Sequence, residues 1–161
     1  MIVTELSRGT KLFLLVGGRG TRLSSVTNGK AKPLVNINNK NFIDHVLENL
    51  SGFDITLVCS DLNYNQFVEY MMYGVSVINE GSPSGTGGFL SKVDLPESFY
   101  VMNGDTFYSG ELNLDCDEST IFVAEEDVTS DVGYIHGENG KVKYFVEKNP
   151  NASGKKLVSL G

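Results

Sequence analysis

The sequence predicts an α/β domain on a largely parallel sheet, from three observations. Short apolar runs such as "KLFLLV" and "DITLVCS" have the composition of strands buried on both faces. Segments with helical spacing of apolar residues alternate with them. Glycine turns follow the apolar runs, at the strand ends where open α/β sheets bind ligands.

In order, Lys11 to Val16 form the first strand. "NFIDHVLENL" sets Phe42, Ile43, Val46, Leu47 and Leu50 on one stripe of a helix. "DITLVCS" is the second strand, "YNQFVEYMM" a short helix and "VSVINE" the third strand. "GTGGFLSKV" begins a further helix after a glycine turn, and "SFYVMNGD" is the fourth strand. Right-handed crossovers would join these parallel strands. The tail differs in character. "STIFVAEE" and "VGYIHGENGKVKYFVEK" read as strands, with "ENGK" a hairpin turn between alternating apolar residues. Glu125, Glu126 and Asp127 read as a solvated acidic turn. "NPNASGKK" is a polar loop, and "LVSLG" reads as the start of a strand cut short. There is no internal repeat, so the expectation is one domain over 1–161.

The chain of 161 residues, 40% hydrophobic and 20% charged, suits a soluble globular protein with a sizeable core. No apolar run approaches the roughly 20 residues of a membrane span, and no signal peptide is recognisable, so the expected location is the cytoplasm. Cys59 and Cys116 lack metal-ligand spacing, and Cys59, inside "ITLVCS", reads as a small core residue. A net charge of −7 without a basic stripe argues against nucleic acid as a partner. Against that acidic background Arg19, Arg22, Lys30 and Lys32 are clustered beside a glycine turn, which points to a bound anion.

The turn itself, "LFLLVGGRGTRL", fits neither common phosphate motif. A dinucleotide fingerprint would run directly into a helix with a third glycine, but Leu23 stands at that position and residues 21–40 intervene before the helix. A P-loop would need Gly-Lys-Ser or Gly-Lys-Thr. What remains is a loop exposing the backbone amides of Gly17, Gly18 and Gly20, with Arg22 and Lys32 reaching the same anion. Asp105 could be simple turn chemistry in Asn-Gly-Asp. Its place after a buried strand favours a ligand-binding role.

These residues resemble the sugar-phosphate nucleotidylyltransferases. "GGRGTRL" followed by Lys32-Pro33 looks like their signature, and three more motifs follow in order over nearly the whole chain. "SPSGTGG" resembles the loop that contacts base and ribose. "VMNGDTFY" resembles the strand end whose aspartate holds magnesium. "VGYIHGENGKVKYFVEKNP" resembles the sugar-binding hairpin, though Asn149 interrupts its Glu-Lys-Pro ending. The resemblance implies a Rossmann-like three-layer sandwich with a mostly parallel mixed sheet. It also implies transfer of a nucleoside monophosphate from a nucleoside triphosphate to a sugar 1-phosphate, with pyrophosphate released.

Residue by residue, Arg22, Lys32 and Asp105 would be catalytic. Arg22 grips the pyrophosphate as a planar fork, Lys32 places a charge near the α-phosphate, and Asp105 ligates Mg²⁺. Gly17, Gly18, Gly20, Thr21, Glu80, Gly85 and Thr86 would bind the nucleotide. Gly133, Glu147 and Lys148 would bind the sugar phosphate. The pattern is most like the branch acting on manno-heptose 1-phosphate with GTP, in which Glu80 would accept bonds from the guanine N–H groups. In this family a second magnesium-binding aspartate follows the sugar-binding hairpin, on further strands, and nothing in the chain matches it. A catalytically incomplete homologue that binds nucleotide sugars or regulates, or a fragment, is therefore the competing expectation, with slow or no turnover. The last strand would leave an open sheet edge and invite self-association into a homo-oligomer.

Overall fold

The computed structural model describes residues 9–18, 20, 27–83, 85–109, 114, 116, 118–129, 132–147 and 149–160. The chain divides into two compact units, Met1–Asp115 and Cys116–Gly161. No helix among the described residues is long and apolar enough to cross a membrane.

The first unit is built on four parallel strands: β1 (Lys11–Leu15), β4 (Asp54–Cys59), β5 (Ser76–Asn79) and β6 (Phe99–Asn103), in the order β5-β4-β1-β6. The expected α/β class and all four strands are present. β1 is central, with Leu12 between Ile55 and Tyr100 and Leu14 between Leu57 and Met102. A strand with neighbours on both sides and both faces covered needs apolar residues at every position, which is why "LFL" shows no alternation. Leu12, Leu14 and Val16 join Ile43 and Val46 of helix α1 (Phe42–Asn49), and Leu50 just past its end, in the larger core, with Leu57, Cys59, Phe67 and Tyr70. The opposite face carries a smaller core of Phe13, Val58 and Phe89, in which the Phe13 and Phe89 rings lie 5.2 Å apart. α1 starts where Asp44 accepts the backbone N–H of Asn41 at 2.9 Å, which satisfies an amide the helix cannot pair itself.

Two expected helices are shorter and tighter than their sequences suggest. "YNQFVEYMM" makes one α-turn, α2 (Tyr64–Phe67), and continues as a 3-10 helix over Val68–Tyr73, ended by Gly74 at φ 78°. Phe67 and Tyr70 are both buried, and three-residue winding stacks residues at that spacing on one face. "GTGGFLSKV" forms only a 3-10 turn, Gly88–Lys92, because its glycines weaken a longer helix. The stretch between the glycine turn and α1 holds a 3-10 turn at Lys32–Leu34 and a ribbon of β2 (Asn36–Ile37) and β3 (Lys40–Asn41). Asn38 and Asn39 turn the ribbon at φ 52° and 67°, a conformation that asparagine tolerates better than most residues.

The second unit is an antiparallel sheet in the order β7-β10-β8-β9, from β7 (Val123–Asp127), β8 (Tyr134–Glu138), β9 (Lys141–Val146) and β10 (Lys155–Ser159). Asn139 and Gly140 make the expected hairpin turn at φ 51° and 72°. Two expectations are corrected here. Glu125, Glu126 and Asp127 belong to β7 rather than to a turn, and Lys155 lies 3.5 Å from Glu125 across the ladder. The last strand is not an open edge. β10 pairs with β7 along its length and with β8 at Leu157–Ile135, so it lies between two strands.

Candidate functional site

The four parallel strands end on one side of their sheet, and the expected nucleotide-side residues follow those ends. Val16 and Gly17 follow β1, Ser60 follows β4, Glu80 follows β5, and Gly104 and Asp105 follow β6. Together with the 3-10 turn that carries Lys32, Val16, Gly17, Glu80 and Asp105 border a cleft of about 770 Å³. Gly17, Gly18, Gly20, Lys32, Glu80, Gly85, Thr86 and Asp105 all line it. Residues from Gly17 to Asp105 are thus brought to one concavity by the parallel order of the strands. Thr21, Arg22 and Lys148 lie outside the described residues.

At the mouth of the cleft, Lys32 Nζ and Asp105 Oδ2 are 2.5 Å apart. Their side chains are 43% and 39% exposed, so the pair is open to solvent and to an incoming ligand. Pro33, at the start of the Lys32 turn, is buried, and Leu34 N donates to Ala31 O at 2.8 Å. These contacts tie the base of the Lys32 arm and leave its ammonium free to reorient.

The glycines of the first loop are not equivalent. A Cβ on Gly17 would stand 3.1 Å from Ser60 N, 3.2 Å from Glu80 Oε1 and 3.3 Å from Cys59 C, so the backbone passes closely under Glu80 and the end of β4. Gly18 has open space around it. Gly20 takes φ 57°, and its Cβ would lie 3.6 Å from that of Lys32. Removing side chains here lets backbone N–H groups approach an anion.

Glu80 follows β5 with its N–H donated to Cys59 O at 2.8 Å, and the Lys92 ammonium donates to its carbonyl. Its side chain approaches Gly17 of the glycine loop and lines the same cleft as Gly85, which takes φ 83°. Lys92 comes from the 3-10 turn Gly88–Lys92 and ties that turn to the end of β5.

Sequence reasoning overlooked Gly104. Its N–H donates to Leu15 O at 2.8 Å, and a Cβ there would stand 2.5 Å from Val16 Cγ1 and 3.0 Å from Leu15 O. Only glycine lets the end of β6 lie against the end of β1, which sets Asp105 beside Lys32. The signal was present in "NGD", where the glycine was read only as part of a turn.

In the second unit, Gly133 and Glu147 are neighbours. A Cβ on Gly133 would lie 3.3 Å from Val146 O and 3.8 Å from Glu147 Oε2, and both residues are exposed. His136 stacks on Tyr144 with ring centroids 4.8 Å apart. Among the described residues, no three His, Cys, Asp or Glu side chains gather into a metal cage.

The model of the nucleotidyl transferase family matches residues 11–161. The chain is 33% identical over 165 residues to the catalytic subunit beta of mannose-1-phosphate guanylyltransferase from Drosophila melanogaster, covering 89% of this chain and 45% of that protein. It is also 33% identical over 122 residues to D-glycero-alpha-D-manno-heptose 1-phosphate guanylyltransferase from Campylobacter jejuni, covering 70% of this chain and 55% of that protein. The chain thus spans about half the length of the curated relatives it matches. Among solved structures, CTP:phosphocholine cytidylyltransferase from Streptococcus pneumoniae superposes with a TM-score of 0.68 at 24% identity, covering 94% of this chain and 68% of that one. At that identity the likeness speaks for the fold.

Proposed function

The chain belongs to the nucleotidyl transferase family, and from that premise we propose that it transfers a nucleoside monophosphate from a nucleoside triphosphate to a sugar 1-phosphate. The observation that carries the proposal is the cleft at the strand ends, where a glycine loop, a lysine and a carboxylate converge. The family match runs through both units, which supports reading residues 1–161 as one nucleotidyltransferase domain. Two guanylyltransferases among the relatives favour GTP as donor. The free thiols of Cys59 and Cys116 suit a reducing compartment such as the cytoplasm.

In this proposal an oxygen of the sugar phosphate attacks the α-phosphorus, and the bond to the pyrophosphate oxygen breaks. Several negative charges gather within a few ångströms, so catalysis is chiefly positioning and neutralisation. The amides of Gly17, Gly18 and Gly20 and the fork of Arg22 hold the leaving pyrophosphate. Lys32 turns from Asp105 to the α-phosphate. Thr21, Gly85 and Thr86 hold the nucleotide, and Glu80 accepts from the guanine N–H groups. Gly133, Glu147 and Lys148 take the sugar phosphate, with Glu147 accepting from hydroxyls and Lys148 facing the phosphate.

The donor set fits Mg²⁺ sparingly. Asp105 offers one exposed carboxylate, and Mg²⁺ is commonly held by one or two carboxylates plus substrate phosphates and waters. When bound, the ion would supply charge neutralisation at the phosphates. The testing experiment is pyrophosphate release against a panel of nucleoside triphosphates and sugar 1-phosphates. Release that requires both substrates supports the proposal, and its absence from every pair defeats it.

A further inference from the structure

We infer that Ser60, Asn63 and Gln66 form a positioning face that presets both phosphate-gripping segments, the glycine loop and the Lys32 arm. The inference rests on the nucleotidyl-transfer reading for its purpose, but its geometry is independent of it. The three residues are spaced by three: Ser60 follows β4, Asn63 immediately precedes helix α2, and Gln66 lies within it. Ser60 Oγ donates to Gly17 O at 2.9 Å, and Asn63 Nδ2 donates to Val16 O at 2.6 Å. Asn63 Oδ1 accepts Ser60 N–H at 3.1 Å, which orients the amide so that its nitrogen meets the loop. One turn on, Gln66 Oε1 accepts Ala31 N–H at 2.8 Å, and its Nε2 donates to Gly29 O at 3.3 Å. Ala31 immediately precedes Lys32.

The consequence follows from peptide geometry. In a planar trans peptide, C=O and the next N–H point in opposite directions. Drawing the carbonyls of Val16 and Gly17 toward buried side chains therefore turns the N–H groups of Gly17 and Gly18 the other way. Ser60 and Asn63 are 0% and 5% exposed, so their polar atoms would be costly to bury unless paired. They spend that pairing on the loop carbonyls. Gln66, partly buried, fixes the approach to Lys32 by accepting Ala31 N–H and donating to Gly29 O. One short segment thus holds two grips in register before a ligand arrives, and such preorganisation raises affinity by lowering the ordering cost of binding. These are positioning residues, acting through the loop and the lysine.

Three variants of the full chain test this. Asn63→Asp keeps the acceptor for Ser60 N–H and removes the donor to Val16 O. Gln66→Met removes both Gln66 bonds, and Gln66→Glu keeps the acceptor for Ala31. The readouts are ¹⁵N order parameters and calorimetric affinity for inorganic pyrophosphate with Mg²⁺. Order parameters should fall from about 0.85 to below about 0.6 at Gly17 and Gly18 in Asn63→Asp, and at Ala31 and Lys32 in Gln66→Met. β1 and β4 should keep theirs. Pyrophosphate affinity should drop about tenfold in both, the scale of one hydrogen bond's contribution. Gln66→Glu should recover most of the loss. Loop order unchanged in the variants, or a loss spread evenly over β1 and β4, overturns the inference. If the unaltered protein binds no pyrophosphate, the nucleotidyl-transfer reading fails instead, and the order parameters still decide whether the face presets the loops.

Discussion

Lys32 and Asp105, 73 residues apart in sequence, meet at 2.5 Å across the mouth of the cleft. The lysine rides on a proline-anchored turn, and the aspartate is set by a glycine packed on the end of β1. An exposed pair of this kind adds at most about 1 kcal/mol to stability, so its place is explained better by what it can exchange for. Under the proposed function, Asp105 exchanges the ammonium for a metal and Lys32 exchanges the carboxylate for a phosphate. Asp105→Asn should therefore leave the unfolding midpoint nearly unchanged while lowering Mg²⁺-dependent turnover by on the order of 10²-fold. A calorimetric scan beside a pyrophosphate-release assay would separate the two. Full turnover in the variant would remove Asp105 from the metal.

Arg22→Lys keeps a charge and loses the planar fork. Turnover should fall by roughly 10²-fold or more if the guanidinium holds the pyrophosphate in two places at once. A kcat/KM close to that of the unaltered protein would rule the role out.

The glycines give a stability series. At Gly104 a methyl would stand 2.5 Å from Val16 Cγ1, so Gly104→Ala should destabilise by roughly 1–3 kcal/mol, the scale of overpacking. Gly17→Ala should also destabilise, because its neighbours Ser60 N and Cys59 C are backbone atoms that cannot swing aside. Gly18→Ala meets nothing within 4 Å and should stay within about 0.5 kcal/mol. Urea denaturation of the three variants would reveal the order, and equal stabilities would contradict the packing described.

Glu80 lines the cleft beside Gly17. If it reads guanine, Glu80→Gln places an amide donor against the base N–H groups and should erode the preference for GTP. Competition among the four triphosphates would measure it. Unchanged discrimination would take Glu80 out of base recognition.

Burial pushes the Cys59 thiol up from 9.0 to about 12. A raised pKa means that the folded protein holds this proton more tightly than the unfolded chain does. The resulting stability is whole below about pH 9 and is lost as pH rises through about 12. Cys59→Ala should flatten the fall in stability over that window. In the native protein a thiol reagent at neutral pH should modify the exposed Cys116 and reach Cys59 only after unfolding. Rapid reaction at both sites would show that the core around Cys59 opens.

Most of the strand pattern was legible in the chain, because burial and turn chemistry act within a few residues. "LFL" reads as a buried strand because it has neighbours on both sides and both faces. "ENGK" reads as a hairpin because Asn139 and Gly140 accept positive φ. The glycine loop, Lys32 and Asp105 stood out in the sequence for the same local reason, and they line one cleft. Other features depended on which distant segments meet. β10 lies inside its sheet because β7 and β8 flank it, not because of anything in "LVSLG". Gly104 became necessary only when β6 packed beside β1, and Ser60, Asn63 and Gln66 looked like ordinary polar residues at a helix start. Their partners, Gly17, Val16 and Ala31, stand 35 to 47 residues away. No local pattern encodes such pairings, since they exist only once the parallel sheet has brought its strand ends together.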